Sequence, residues 1–195
     1  MSRHTASLPP AYFDARYADD PDPWRFATSD YERGKYAATL AALPRARYAA
    51  ALEVGCSIGV LTAALAERCD ALLALDVAES ALTQARARCG HLGHVRFAQT
   101  RIPGAWPPGR FDLILLSEVV YYLDAADVAH LVERLRGALN PGGDAVLVHW
   151  TGETHYPLTG DEAAGLLIEG ARAFLTPTRQ ERTEAYRLDV LRAGP

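Results

Sequence analysis

Apolar and polar positions switch between two periods along most of the chain. Short apolar runs occupy Ala50–Val54, Ala71–Asp76, Val95–Gln99, Phe111–Glu118 and Asp144–Trp150. Their length and composition predict buried strands. Between them the spacing becomes that of amphipathic helices. The first covers Val60–Cys69, with Leu61, Ala64 and Leu65 on one side, and the second covers Ala78–Cys89, with Arg86 and Arg88 on its outer face. A longer one runs from Ala125 to Asn140-Pro-Gly-Gly143, its stripe formed by Val128, Leu131, Val132, Leu135, Ala138 and Leu139. The last, Thr159–Phe174, carries Asp161 and Glu162 in its first turn, where the helix dipole favours acids. Residues 100–110 hold Pro103, Trp106, Pro107, Pro108 and two glycines, which predicts a loop. Pro177–Arg182 and Ala185–Arg192 read as short strands paired in a hairpin at a sheet edge. Strand–helix alternation implies an α/β fold: a doubly wound, mostly parallel, seven-stranded sheet with helices on both faces.

Residues 1–43 break this alternation. Tyr12, Phe13, Tyr17, Trp24, Phe26, Tyr31 and Tyr36 crowd the stretch, and Pro21-Asp-Pro-Trp24 forms a turn. From Ser29 the pattern turns helical. Ser29 suits the N-cap and Glu32 the third position of a capping box, with Tyr36, Ala37 and Leu40 continuing an apolar side. The expectation is an aromatic-rich helical arm or lid at 1–43, a connector at Pro44–Arg47, and one domain at 44–195. The aromatics suit plain packing on the core, or cover for a cationic ligand, since ring faces attract positive charge.

The first strand leads into Ala51-Leu-Glu-Val-Gly-Cys-Ser-Ile-Gly59. An apolar run ends on an acid, and Gly55, Ser57 and Gly59 precede a helical pattern. Glycine permits positive φ and close approach of a ligand to the backbone. The first N–H groups of the following helix point at whatever sits there. A dinucleotide fingerprint would read G-x-G-x-x-G; the spacing here is Glu53-x-Gly55-x-Ser57-x-Gly59. A second apolar run ends at Asp76, about twenty residues on, where a carboxylate accepts from ribose hydroxyls. Capping the helix near Glu79 is its plainer use. Ligands of parallel sheets sit beyond the carboxyl ends of the strands. Glu53, Asp76, Gln99, Ser117, Glu118 and His149 all fall at such ends.

With 195 residues, 49% of them hydrophobic, the chain can bury an ample core. A net charge of −4 and the lack of a basic stripe argue against nucleic acid as a partner. No apolar run approaches the length of a membrane span, and the first residues lack the apolar centre of a secretory signal. Cys56, Cys69 and Cys89 show no metal spacing and leave an odd thiol, which suits a reducing cytoplasm. Cys56, inside the glycine turn, reads as a small filler. No motif specifies an oligomeric state.

The Glu53–Gly59 segment resembles motif I of the S-adenosylmethionine (SAM) methyltransferases, with Ser57 in place of the usual middle glycine. Together with Asp76 and Phe111-Asp-Leu-Ile114 it is similar to the class I enzymes, of Rossmann-like fold, over about residues 48–195. A closer likeness covers nearly the whole chain. Asp20-Pro-Asp-Pro-Trp24, Tyr31-Glu-Arg-Gly-Lys-Tyr36, Glu53–Gly59, Ser117-Glu-Val-Val-Tyr-Tyr122 and His149-Trp150 look like the nodulation protein S family, which N-methylates a deacetylated chitooligosaccharide. The resemblance implies an enzyme with S-adenosyl-L-methionine as cofactor and S-adenosyl-L-homocysteine as product. It implies a small-molecule acceptor, an amine on a metabolite or amino sugar; O-methylation, or a non-catalytic SAM-binding module, is the alternative. Cofactor contacts are implied at Glu53, Gly55, Cys56, Ser57, Gly59, Asp76, Val77 and Ser117, and from Trp24 and Tyr31 of the arm. Adenine would lie by Gln99, Thr100, Arg101 and Ile102. The acid usual there is missing, and Arg101 cannot accept a hydrogen bond.

An amine acceptor must be deprotonated before it can attack. Candidate bases are Glu118, Tyr121, Tyr122, His149 and His155. Histidine titrates near neutral pH, whereas a carboxylate can hold an ammonium group and take its proton. Tyr122, His155 and Tyr156 also suit a substrate rim. No arrangement of side chains marks a divalent metal.

Overall fold

The structure, a computed structural model, describes residues 3–195. Helices α1 (Pro10–Asp19) and α2 (Asp30–Ala42) precede an alternating series. The series comprises β1 (Ala51–Val54), α3 (Val60–Ala66), β2 (Leu72–Asp76), α4 (Glu79–Cys89) and β3 (Val95–Gln99). It continues through β4 (Phe111–Ser117), a single 3₁₀ turn (Val120–Tyr122), α5 (Ala125–Ala138), β5 (Leu139–Trp150) and α6 (Gly160–Ala171). Strands β6 (Leu175–Arg182) and β7 (Tyr186–Ala193) end the chain. The sheet has seven strands in the order β3-β2-β1-β4-β5-β7-β6. The β1–β2, β2–β3 and β4–β5 pairs are parallel, and β7 pairs antiparallel with both β5 and β6. This is the doubly wound, mostly parallel sheet expected, closed by the expected edge hairpin. Among the described residues no helix is long and apolar enough to cross a membrane.

The chain divides into two compact units: Pro9–Arg101, and Ile102–Pro195 with the described residues up to Leu8. In the first, Leu52 and Val54 of β1, Leu72 and Leu75 of β2, and Leu82 and Ala85 of α4 are buried. In the second, Leu113–Leu116 of β4 and Ala145–Val148 of β5 form continuous buried runs, as strands covered on both faces should. The apolar stripe of α5, Val128 through Ala138, is buried as its spacing dictates.

Several boundaries differ from the sequence reading. Helix α1 falls within the stretch expected to be helical, but ahead of Ser29, where the pattern marks no helix; Pro10 at its first position suits a helix start, because that N–H has no partner to lose. The helix from Val60 stops at Ala66 rather than Cys69. The helix from Ala125 stops at Ala138, before Pro141, which cannot continue it. β5 begins at once and carries a register shift opposite Phe111/Leu113, with Gly142 at φ +69°. In α2, Ser29 Oγ accepts from Glu32 N–H as expected. The capping box is not closed, because Ser29 N–H is already given to Arg25 O and the Glu32 carboxylate pairs with Lys35 at 3.0 Å. The buried positions of α2 are Glu32, Lys35, Thr39 and Ala42, not the Tyr36–Ala37–Leu40 side.

Two glycines separate constraint from slack. Gly59 has φ +78°, and a Cβ there would lie 2.9 Å from Ala85 Cα. Gly34, mid-α2, has nothing within 4 Å of that position. Gly59→Ala should cost about 2–4 kcal/mol through left-handed strain and overpacking. Gly34→Ala should add about 0.5–1 kcal/mol. Urea melts of the two variants check both signs.

Candidate functional site

Of the residues expected on the cofactor side, all but Ile102 and Ser117 lie in the first unit. β1 leaves the sheet through a turn in which Gly55, Ser57 and Gly59 all have positive φ, at 80°, 49° and 78°. Leu75 O at the end of β2 accepts from both Gly55 N–H (2.8 Å) and Cys56 N–H (2.9 Å). Ser57 is the costly member, since a left-handed non-glycine residue is strained by about 1–3 kcal/mol. Two contacts hold it: its N–H donates to Asp76 Oδ2 (2.8 Å), and its hydroxyl lies 2.5 Å from Tyr17 OH. The other Asp76 oxygen accepts from Ala78 N–H (2.9 Å) at the start of α4. Asp76 thus braces turn and helix together. Burial lifts its carboxyl above the usual range, while those N–H groups oppose the rise.

Tyr17 carries no sequence signal beyond its place among the aromatics of residues 1–43. Burial and the Asp76 charge push its phenol well up, so it stays neutral. Its ring meets Trp24 edge-on at 5.6 Å, and Trp24 stacks on Phe26 at 5.7 Å. Trp24 is therefore half-buried in a cluster around Tyr17, Ile58, Ala78 and Ala81. Tyr31 is exposed on α2, with Lys35 Nζ 4.9 Å from its ring centre. Burial raises the Cys56 thiol far above its ordinary value, which suits a filler and not a nucleophile. Near β3, the Gln99 amide donates to Val77 O (3.0 Å) and Thr100 N–H to Asp76 O (2.9 Å). Arg101 is exposed and Ile102 is buried.

Glu53 is enclosed. It is 1% exposed in β1, and its Oε2 has no hydrogen-bond partner among the described residues. Burial, opposed by the Thr62 hydroxyl and aided by Asp76, pushes its carboxyl up to about 7.

The acceptor-side candidates gather in the second unit. Glu118 follows β4 with φ +56°, and its N–H donates to Val148 O (2.8 Å). Its Oε2 accepts from Tyr121 OH (2.6 Å) and Trp150 N–H (3.0 Å). In return, Val120 N–H donates to His149 Nε2 (3.2 Å). The loop after β4 and the end of β5 are therefore tied in both directions. His149 is 0% exposed, and its accepting Nε2 puts the ring proton on Nδ1. Tyr121, Tyr122 and Tyr156 form an aromatic cluster with centroids 4.6–5.2 Å apart. Burial raises the Tyr121 and Tyr122 phenols well above their ordinary values, making them donors. Glu118 and Tyr156 are half-buried, His155 is exposed and Ser117 is buried. Trp150, 38% exposed, enters this arrangement through its backbone N–H alone. A Cβ on Gly160 would lie 2.1 Å from its carbonyl oxygen, so only glycine lets α6 start this close to β5.

The nodulation protein S (NodS) family model matches residues 14–146. Nodulation protein S from Rhizobium tropici is 36% identical over 127 residues, 64% of this chain and 53% of that protein. The Bradyrhizobium diazoefficiens protein is 38% identical over 122 residues, 62% of this chain and 58% of that one. The chain thus spans little more than half the length of these relatives. The crystal structure of N-methyltransferase NodS from Bradyrhizobium japonicum WM9 in complex with S-adenosyl-L-homocysteine superposes with a TM-score of 0.83 at 26% identity, covering 95% of this chain and 98% of that one. A Pseudomonas syringae protein matches at 41% identity and TM-score 0.73, covering 83% and 98%.

The Glu53 carboxyl, raised from 4.5 to about 7, binds its proton more tightly in the folded chain than in the unfolded one. Its contribution to stability should therefore be full below about pH 4.5 and fall as pH rises to about 7, by up to roughly 3 kcal/mol at about 1.4 kcal/mol per unit. Urea melts across that window should show the Glu53 part of this slope vanish in Glu53→Gln.

Proposed function

Since the chain belongs to the nodulation protein S family, we propose that it is a SAM-dependent methyltransferase that N-methylates an amine on a small molecule or amino sugar. The observation that carries this reading is the left-handed turn at Gly55, Ser57 and Gly59 braced by Asp76. The donor set fits an adenosyl group. Each Asp76 oxygen takes one backbone N–H, and a carboxylate has about four acceptor sites, which leaves capacity for ribose hydroxyls. The turn and the first N–H groups of α3 would hold the amino-acid end. Gln99, Thr100, Arg101 and Ile102 would border adenine, with Trp24 and Tyr31 serving from an arm or lid at 1–43. The cofactor, when bound, supplies a methyl group on a positively charged sulfur, already activated for transfer.

What falls to the chain is to place an amine lone pair in line with that methyl. Such positioning can supply about 7–11 kcal/mol of a barrier. Glu118 is the group we assign to the acceptor's ammonium, to orient it and accept the proton it must shed. Tyr121 OH and Trp150 N–H both donate to one oxygen of that carboxylate, Oε2, and so fix its orientation. His149 serves as a positioning residue that holds Val120 N–H, and Tyr122, His155 and Tyr156 edge the acceptor. The family's N-methyltransferase of known structure supports an amine over a hydroxyl.

Calorimetry with S-adenosyl-L-homocysteine tests the cofactor half. Wild type should bind, and Asp76→Asn should lose about 10–100-fold in affinity, as for charge-assisted hydrogen bonds. Absence of binding by wild type would overturn the reading. Glu118→Gln should lower kcat by about 10²–10⁴ with amine acceptors while leaving homocysteine-product affinity nearly unchanged. Turnover of hydroxyl acceptors alone would replace N- by O-methylation.

A further inference from the structure

The segment ahead of α1 is fastened to the acceptor-side unit at six residues of two loops and two helix starts. Leu8 N–H donates to Tyr122 O (2.9 Å). Ser7 N–H donates to Asp124 Oδ2 (3.2 Å), Ser7 Oγ–H to Asp127 Oδ2 (2.5 Å), and Asp124 N–H returns to Ser7 Oγ (2.9 Å). His4 N–H donates to His155 O (2.9 Å) and Arg3 Nε–H to Tyr156 O (2.8 Å). The Arg3 guanidinium also pairs with Glu162. These anchors are not passive. Asp124 caps α5 through Asp127 N–H (3.0 Å), and Glu162 closes the capping box of α6 with Thr159. Tyr122 belongs to the turn that carries Tyr121, and His155 and Tyr156 belong to the loop between β5 and α6.

We propose that residues 3–8 are a strap that positions the acceptor-side loops, with Ser7 as its fastening residue. The inference rests on the methyltransferase reading for its kinetic consequence, and on the hydrogen bonds alone for its structural one. Loops beyond strand ends are the mobile parts of such folds, and holding them in the binding geometry lowers the cost of binding. The strap joins two loops that share no continuous stretch of chain. Ser7 is the joint because its hydroxyl both donates and accepts, a pairing that no apolar side chain can replace. The Asp124 carboxyl is held below its ordinary value by Asp127 N–H and Ser7 N–H, so it stays ionised through neutral pH. The strap therefore acts on the acceptor and leaves the cofactor alone, in contrast to the aromatic helices that follow it.

Ser7→Thr and Ser7→Val provide the test, because they differ only in the hydroxyl. Hydrogen exchange should accelerate about five- to tenfold across 120–124 and 151–159 in Ser7→Val, the size expected for a lost hydrogen bond. It should stay at the wild-type rate in Ser7→Thr, and at 55–59 in both. With a β-1,4-linked glucosamine dimer as the probe amine, Ser7→Val should raise KM by a similar factor. Its kcat and its affinity for S-adenosyl-L-homocysteine should stay within about twofold. Equal behaviour of the two variants, or exchange rising equally at 55–59, would overturn the strap. If wild type leaves the dimer unmethylated, the acceptor assignment fails, and hydrogen exchange still decides the strap.

Discussion

One carboxylate holds the first unit's site together. Asp76 ends β2 and spends one oxygen on Ser57 N–H and the other on Ala78 N–H. The first bond secures a serine in a conformation that normally calls for glycine; the second fixes the start of α4. Leu75 O, one residue earlier, takes the N–H groups of Gly55 and Cys56. The exit of β1 is thereby lashed to the end of β2, and the strained turn is held in one shape. Tyr17 then reaches the same serine from α1, so this helix is attached to the turn by a polar contact as well as by its aromatic cluster.

The second unit uses the same device. β4 also leaves its sheet through a left-handed residue that is not glycine, Glu118. Its strain is balanced by bonds to the neighbouring strand's end: Glu118 takes Trp150 N–H, and His149 takes Val120 N–H. Strain at a non-glycine residue persists only where its surroundings over-determine it, and such places cluster at functional sites. In each unit a side chain that chemistry would use is also the one that stabilises its own loop. Altering either carboxylate therefore changes geometry and charge together.

The order of strands and helices was legible because burial imposes its period on the sequence. Continuous apolar runs such as Leu113–Leu116 and the α5 stripe leave little choice of structure. The turn at Gly55–Gly59 and the acid at Asp76 were legible from spacing. What escaped was set by tertiary contacts. Helix α1 has a weak pattern, and its first turn depends on Pro10. The buried positions of α2 are the polar Glu32, Lys35 and Thr39, which no hydrophobic period reveals. Tyr17 gains its place from Ser57, forty positions away in the chain, and Ser7 from Asp124 and Asp127 at still greater separation. The enclosure of His149 and Glu53 likewise comes from neighbours distant in sequence.

We infer that the turn bearing Ser57 and the carboxylate of Asp76 act as one grip for an adenosyl ligand. Amide chemical shifts recorded while S-adenosyl-L-homocysteine is titrated into isotope-labelled protein test it most directly. Saturable shifts are expected, concentrated at Gly55–Gly59 and Asp76–Ala78. A titration that moves no amide there, or that moves only amides elsewhere, would contradict it.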